Sequence, residues 1–537
     1  MGAKSPLARV FVHDADDGES EAAVMPSDDF NDPYARKAAI LRGLGLDSGR
    51  GGSGPPNCEL TTVAVPRTRL EASLVVHGSA IQVDLEYMPH GDLDLALAVH
   101  GAKYVRYIAT AWDRWAALAP EKRCRFFRME TETKFKRNTK HWSANVPALV
   151  PSNFVSRTCP NAQPGTDVHA QTCWYHTDDD TPVFKGLLPS LAGDMEMLKN
   201  IIYQMETDLK GDLRNVENVY YYALTSHPGH HAGHTHAGGY CYLNNAGILA
   251  KALCASGLNL TRIAILDVDY HAGNGTSSLF YSDPDILVTS IHADPNHDYP
   301  WNSGYADEIG VGRGQGKTVN VPLRSGANWG DDYQPALKKT LHTIDQHDAQ
   351  VLIVSLGIDT HTDDPVQEKA TAGMDLTLAD YEQMGAMIAS AKLPTVFVQE
   401  GGYNLESAGS IIQSIFRGME DGFHLRFQER GESPEVIQAN VLQGLERGFP
   451  ARFEDKGPVR MPVRNKNDVS SSSSESESED DDVKSLGPKS PVQKSPGVKS
   501  PKSEKEASLK SPKAVKEKTP TPKKEPEKKK KGVWFGF

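Results

Sequence analysis

Residues 262–276, RIAILDVDYHAGNGT, indicate both the fold class and a metal site. The segment starts as an apolar run typical of a buried strand and ends with Asp267, Asp269 and His271 at a spacing of two. In an extended chain this spacing places the three side chains on one face. Carboxylate oxygens and an imidazole nitrogen suit Zn²⁺ and also accept Fe²⁺, Co²⁺ or Mn²⁺. For this motif alone, an Asp-rich loop that merely closes a strand is the alternative.

Four other apolar runs lead in the same way into polar or glycine-rich clusters. They are NVYYYALT at 218–225, DILVTS at 285–290, AQVLIVSLG at 349–357 and LPTVFVQ at 393–399. None alternates with polar residues, as expected of strands buried on both faces. Helical patterns at 244–253, 329–347 and 378–392 separate them. This alternation predicts an α/β fold with a doubly wound, mainly parallel sheet flanked by helices. Ligands bind beyond the carboxyl ends of such strands, where all of these clusters fall.

The charge, the apolar runs and the cysteines of the chain indicate what class of protein it is. The 537 residues carry a net charge of −12. No apolar run approaches the roughly 18 residues of a membrane span, so no membrane association is expected. The six cysteines form no CxxC pair and the chain starts without a secretion signal, which favours free thiols in a reducing compartment. We therefore expect a nuclear or cytoplasmic protein.

The end of the chain differs from the rest in composition. We place a catalytic domain at 8–448 and a linker with a disordered tail at 449–537. The tail begins with an acidic serine run at 470–482, and residues 483–537 then hold 16 Lys against 5 Glu. Such a segment cannot bury enough apolar surface to fold alone. It could bind nucleic acid, an importin or kinases, and a solvated linker is the alternative.

Five motifs in chain order resemble the histone deacetylase superfamily, most closely its acetylpolyamine amidohydrolase branch. They are PGHHA at 228–232, GGYCYLNN at 238–245, LDVDYHAGNGT at 266–276, SLGIDTHTDDP at 355–365 and QEGGY at 399–403. The resemblance covers about residues 8–448, with an insertion around 48–90. It implies an arginase/deacetylase-like fold and hydrolysis of linear amide C–N bonds.

The motifs supply three candidate metal ligands, Asp269, His271 and Asp359. Three protein ligands leave positions for water and a substrate carbonyl, which is the open pattern of a catalytic zinc site. By resemblance, Asp267 and Ser290 also hold a structural monovalent cation such as K⁺.

The resemblance implies the catalytic roles as well. His231 is the general base and later the acid, and His230 is an electrostatic assistant oriented by Asp267. Asn274 supports His231 where many lysine deacetylases have Asp. A neutral partner stabilises imidazolium less than a carboxylate does, so His231 should be a weaker base here. The hydroxyl of Tyr403 polarises the scissile carbonyl.

Four residues are expected to line the substrate tunnel, namely Gly239, Tyr240, Tyr299 and Asp180. Aromatic walls fit the methylene chain of acetyl-lysine and of an acetylated polyamine equally. Polyamine-selective relatives carry two Glu in the loop before the tunnel. This chain retains one acid there at most, Asp180, because the other aligned position is His169.

The sequence therefore predicts a metal-dependent deacetylase that removes acetyl groups from primary amines. Acetyl-lysine in proteins such as histones is the first choice of substrate because the tail looks nuclear, and an acetylated polyamine is the alternative. A homo-oligomer is compatible with the sequence. Two other readings are a binuclear manganese ureohydrolase, which needs about twice as many ligands, and a catalytically inactive binding module, against which the intact site residues count.

Overall fold

The computed structural model describes residues 7–13, 33–46, 58–63, 93–119, 148–149, 163–178, 180–209, 219–367 and 373–429. The chain divides into two units, Met1–Glu454 and Asp455–Phe537, and every described residue belongs to the first. The predicted tail at 449–537 lies outside the described residues, so its disorder and its partners stay predictions.

An eight-stranded sheet organises the described part of the chain. Its strands are β1 (Leu7–His13), β2 (Cys58–Val63), β5 (Val219–Ala223), β6 (Ile263–Asp267), β7 (Ile286–Ala293), β8 (Thr318–Leu323), β10 (Val351–Leu356) and β12 (Thr395–Gln399). They lie in the order β2-β1-β5-β12-β10-β6-β7-β8, and every neighbouring pair is parallel. Two short pairs lie apart, β3 (Ala148–Leu149) with β4 (Val183–Phe184), and β9 (Ala327–Asn328) with β11 (Met374–Asp375). The predicted fold class is confirmed.

The helices are α1 (Pro33–Gly43), α2 (Ala102–Ala116), α3 (Val168–Tyr175), α4 (Leu187–Leu209), α5 (Asn245–Ala255), α6 (Asn274–Phe280), α7 (Gln334–Gln346), α8 (Leu378–Ser390) and α9 (Ala408–Glu429). Short 3₁₀ turns lie at Asp94–Ala98 and Gly312–Gly314. The three helices predicted from periodicity correspond to α5, α7 and α8. The one predicted from residue 329 starts with a π-helical turn, Trp329–Tyr333, before α7.

Apolar side chains of the central strands alternate between two cores, one on each face of the sheet. In β6, Ile263 and Ile265 lie in the first core, whereas Ala264 and Leu266 lie in the second. Helices α2, α4 and α5 contribute to the first core, and α1, α7, α8 and α9 to the second. Burial on both faces explains why these strands are continuous apolar runs.

The segment predicted as an insertion at 48–90 contributes a strand to this sheet. Within it, β2 forms one edge and pairs in register with β1, from Ala8 opposite Cys58 to His13 opposite Val63. The rest of that segment lies outside the described residues. Among the described helices, none combines the length and the apolar character needed to cross a bilayer.

Candidate active site

Three predicted metal ligands meet beyond the carboxyl ends of β6 and β10. Asp269 and His271 follow β6, Asp359 follows β10, and one donor atom of each lies within 4.8 Å of the others. The Nδ1 atom of His271 is 3.5 Å from Asp269 Oδ1 and 3.7 Å from Asp359 Oδ2. Backbone amides fix the carboxylates, because Tyr270 N donates to Asp359 Oδ1 at 2.9 Å and Gly401 N donates to Asp269 Oδ2 at 2.9 Å.

This donor set fits a divalent metal ion. The Oδ2 atom of Asp359 is buried and has no hydrogen-bond partner among the described residues. Burial and the neighbouring Asp269 carboxylate raise the pKa of Asp359 to about 7. Two buried carboxylates beside one imidazole form a site whose negative charge a divalent cation can balance. Two oxygens and one nitrogen also match the three-ligand sets of catalytic zinc.

The predicted histidine pair lies beside these ligands, on the loop after β5. The rings of His230 and His231 are 3.9 Å apart, centroid to centroid. His230 Nδ1 contacts Asp267 Oδ2 at 3.0 Å, and His231 Nδ1 contacts Asn274 Oδ1 at 2.8 Å. The structure thus brings each histidine together with the partner expected from the sequence.

Different surroundings shift the pKa values of the two imidazoles in opposite directions. Burial alone would lower the pKa of His230, but the Asp269 and Asp267 carboxylates outweigh it and raise that pKa well above 6.5. For His231, burial and then the positive charges of His230 and His271 lower the pKa well below 6.5. An amide oxygen can only accept, so the proton of neutral His231 sits on Nδ1 and leaves Nε2 free to take a proton.

Tyr403 reaches the site from the loop after β12. It is buried, its ring centroid lies 5.8 Å from that of Tyr240, and Arg36 lies over the ring at 5.7 Å. The loop needs glycine: Gly402 has φ +126°, and a Cβ on Gly401 would lie 2.3 Å from Asp359 Oδ2. Both glycines therefore let the backbone pass close to the ligands.

Two of the residues predicted to line the tunnel, Tyr299 and Gly239, lie beside His231. The Tyr299 ring lies 4.8 Å from that of His231 and 6.0 Å from that of His271. A Cβ on Gly239 would be 2.5 Å from His231 Cδ2, so the backbone of this wall lies close against His231. Only glycine allows that approach at the observed φ of +52°.

The carboxylate of Asp178 joins these two walls. Asp178 Oδ2 accepts from the amide of Gly239 at 2.8 Å and from the hydroxyl of Tyr299 at 3.1 Å. Burial raises the pKa of Asp178, and those hydrogen bonds partly offset the rise. The predicted rim acid, Asp180, lies two residues further on and is half-buried. Its role at the rim stays a prediction.

Two further buried carboxylates hold the catalytic loops, and sequence reasoning assigned them no role. Glu400 Oε2 accepts from the amides of Gly229 at 2.5 Å and His230 at 3.0 Å. Asp364 Oδ2 accepts from the amide of Tyr403 at 2.8 Å. Both lie within the quoted motifs QEGGY and SLGIDTHTDDP, which was the available signal. Sequence position alone does not reveal which backbone amides a buried carboxylate will reach.

The residues proposed for a monovalent cation are also neighbours. The register of β6 and β7 places Ser290 directly beside Asp267. The hydroxyl of Ser290 contacts His292 Nδ1 at 2.7 Å, and Asp267 Oδ1 accepts from the amide of Asp269 at 3.1 Å. The cation itself stays a prediction.

Comparison with known proteins identifies the family. The histone deacetylase domain model matches residues 68–419. Acetylpolyamine amidohydrolase 2 of Pseudomonas aeruginosa is 34% identical over 326 residues, which cover 61% of this chain and 82% of that protein. The acetylpolyamine amidohydrolase of Mycoplana ramosa is 34% identical over 333 residues, covering 62% and 84%. Histone deacetylase 6 of Caenorhabditis elegans is 35% identical over 204 residues, covering 37% of this chain and 21% of that protein.

Structural comparison supports the fold independently. The crystal structure of an acetylpolyamine aminohydrolase from Burkholderia pseudomallei superposes with a TM-score of 0.56 at 24% identity, covering 76% of this chain and 98% of that chain. At this identity the likeness concerns the fold alone. Taken with the domain match and the coverage of the bacterial relatives, it shows that the chain belongs to the histone deacetylase family of metal-dependent deacetylases.

Proposed function

We propose that this protein is a zinc-dependent amidohydrolase that removes the acetyl group from an acetylated polyamine or a similar small alkylamine. The observation that carries the chemistry is the meeting of Asp269, His271 and Asp359 beside a neutral His231 and the Tyr403 loop. Zinc held there would act as a Lewis acid toward the acetyl carbonyl and a water molecule.

The side chains divide the proton transfers between them. His231 Nε2 accepts the proton of the attacking water and returns it to the nitrogen of the leaving amine. His230 lies between Asp267 and Asp269, and in its protonated form it stabilises the negative charge that develops next to it. The Tyr403 hydroxyl keeps its proton, because burial and then the Asp359 charge raise its pKa well above 10. It can therefore donate a hydrogen bond to the carbonyl oxygen.

The expected substrate is a small acetylated amine and not a protein. The tail favours acetyl-lysine in proteins as the substrate, whereas the bacterial relatives named above are acetylpolyamine amidohydrolases. Asp178 and Asp180 near the tunnel, and 65 acidic against 42 basic residues before position 483, suit a substrate with a second ammonium group. Acetyl-lysine in protein is the second candidate, favoured by the likeness to histone deacetylase 6.

The ureohydrolase reading finds little support. Within the described residues, the other group of close ligand atoms is His230, Cys241 and Glu400. Glu400 Oε2 already accepts from two backbone amides, and the Cys241 thiol donates to the Gly239 carbonyl at 3.2 Å. A buried thiol bound in this way is a poor ligand for a hard ion such as Mn²⁺.

The test compares two substrates and counts the metal. Wild-type protein should hold about one zinc per chain, and Asp359→Ala should lose most of it and all activity. At one ionic strength, kcat/KM for N-acetylputrescine should exceed that for an acetyl-lysine peptide. Higher efficiency on the peptide would favour the second candidate. Full metal content in Asp359→Ala would contradict the assigned centre.

A further inference from the structure

A buried carboxylate lies on the far side of the metal-facing histidine. Asp298, in the loop after β7, is 3% exposed, and its Oδ1 atom is 3.8 Å from Nε2 of His271. The other ring nitrogen, Nδ1, faces Asp269 and Asp359 at 3.5 and 3.7 Å. The imidazole of His271 is therefore flanked by carboxylates at both nitrogens.

This arrangement has a definite consequence for a metal-bound imidazole. When Nδ1 is the ligand atom, a neutral ring carries its proton on Nε2. A carboxylate near that N–H fixes the orientation of the ring and makes the ligand nitrogen more basic. At 3.8 Å the contact is longer than a hydrogen bond, so in the metal-free protein it acts mainly through charge.

Two donors hold the Asp298 carboxylate in place. The hydroxyl of Tyr270 donates to Oδ2 at 2.8 Å, and the backbone amide of Tyr299 donates to Oδ1 at 2.8 Å. Tyr270 precedes His271 in the chain, and Tyr299 forms the tunnel wall whose ring lies 6.0 Å from that of His271. One buried side chain thus contacts both the ligand segment and the substrate wall.

We infer that Asp298 is a positioning residue that orients His271 for metal binding and ties the metal centre to the Tyr299 wall of the tunnel. The inference rests on the proposed function only in taking His271 as a ligand. It extends that proposal by assigning a residue outside all five family-like motifs.

Asp178 offers a matched control. Its carboxylate also bonds to Tyr299, but through the hydroxyl at 3.1 Å. Among the described contacts, none joins Asp178 to His271, whereas Asp298 has such a contact. If Asp298 merely shaped the turn that carries Tyr299, loss of either carboxylate charge would leave metal affinity unchanged.

The experiment measures zinc affinity of the metal-stripped full-length protein by competition with a chromophoric chelator. Asp298→Asn keeps the volume and one acceptor oxygen but removes the charge, so zinc should bind about 10–100-fold more weakly. Asp178→Asn should bind zinc within about twofold of wild type, a difference of less than 0.5 kcal/mol. In Co²⁺-loaded protein, the visible absorption bands should shift for Asp298→Asn and not for Asp178→Asn.

Three results would overturn the inference: wild-type affinity in Asp298→Asn, an equal loss in Asp178→Asn, or unchanged Co²⁺ bands. Should Asp298→Asn fail to fold, Tyr270→Phe carries the test, because it keeps the charge but removes the hydroxyl that holds it. That variant should weaken zinc binding several-fold, and unchanged affinity would count against the inference. A wild-type protein that binds no zinc would instead contradict the proposed function.

Discussion

Neighbouring side chains of one type behave differently in this site because their partners differ. His230 lies between two carboxylates and has a raised pKa, whereas His231 contacts a neutral amide and has a lowered pKa. The raised pKa of His230 comes from Asp269 and then Asp267, whereas burial and the charges of His230 and His271 lower the pKa of His231, a shift that its bond to Asn274 only partly offsets.

Replacement of the neutral partner should move the pH dependence. In Asn274→Asp a carboxylate takes the position 2.8 Å from His231 Nδ1 and raises the pKa of His231. The base works only when deprotonated, so the acid limb of the kcat/KM profile should shift to higher pH. We expect this shift for a small acetyl amide measured from pH 5 to 9. An unmoved acid limb would show that His231 is not the group that titrates.

Loss of the Tyr403 hydroxyl should separate chemistry from metal binding. Tyr403→Phe keeps the ring that contacts Tyr240 and Arg36, so zinc content and thermal midpoint should match the wild type. The value of kcat should fall by about 10²–10³, the usual effect of one lost oxyanion donor. Tyr240→Phe is the control, and its kcat should stay within a few-fold of the wild-type value. Near-normal kcat in Tyr403→Phe would mean that another group polarises the carbonyl.

At the residue scale, sequence predicted the members of the site that recur in short motifs. The spacing in DVDYH placed Asp269 and His271 together, and the ends of later strands supplied Asp359 and Tyr403. It did not predict Asp178 or Asp298. These residues act through contacts between loops more than 20 positions apart, and no local spacing records such contacts.

Elements differ in how clearly the sequence reveals them. The predicted strands, β5, β6, β7, β10 and β12, are buried and lie inside the sheet. Within the eight-stranded sheet, the strands that were not predicted are β1, β2 and β8, and two of these are the edges. Edge strands carry polar side chains and even proline, as Pro322 in β8 and the Arg9–Glu59 ion pair between β1 and β2 show. Their apolar signal is correspondingly weak.

Glu400, in the loop between β12 and Tyr403, should make the free energy of unfolding depend on pH. Burial and the nearby carboxylates raise the pKa of Glu400 to about 7, above its usual 4.5. The unfolded chain loses the Glu400 proton near pH 4.5 and the folded chain loses it near pH 7. The metal-free protein should therefore lose stability as pH rises from 4.5 to 7.

The variant that tests this coupling is Glu400→Gln, which retains an oxygen to accept from the Gly229 amide. Relative to wild type, the metal-free variant should gain stability as pH rises from 4.5 to 7, by on the order of 3 kcal/mol. Thermal unfolding of both proteins across that range gives the difference. If stability changes with pH in the same way in both proteins, Glu400 does not bind a proton in the folded state. Zinc-loaded samples of both proteins serve as the comparison.

For the molecule as a whole, the sequence predicts two parts with opposite charge. Residues 483–537 hold 16 Lys against 5 Glu, while the rest of the chain holds 65 acidic against 42 basic residues. An acidic catalytic part attracts cationic substrates, and salt weakens this attraction. The basic segment has the composition of a nuclear localisation signal or of a nucleic-acid-binding segment.

Truncation after Gly457 should separate these two parts. The shortened protein should keep its kcat/KM on a small acetyl amide, since all the proposed site residues lie between 178 and 403. It should also lose nuclear accumulation in cells, as should a full-length variant with Lys528→Ala, Lys529→Ala, Lys530→Ala and Lys531→Ala. Fluorescent fusions give the location and a spectrophotometric assay gives the activity. Nuclear entry of the truncated protein would remove the main reason to expect a nuclear substrate.

The position of β12 has a consequence for the order in which the site forms during synthesis. This strand is made after the other seven, yet it lies between β5 and β10 in the middle of the sheet. Until the ribosome has completed it, the strands that carry Asp269, His271 and Asp359 have no sheet connection to the strand that leads to His230 and His231. An incomplete chain thus holds every metal ligand but neither the joined histidine pair nor Tyr403. Because long-range pairings form late, we expect hydrolytic activity to appear only after β12 and Tyr403 have been made.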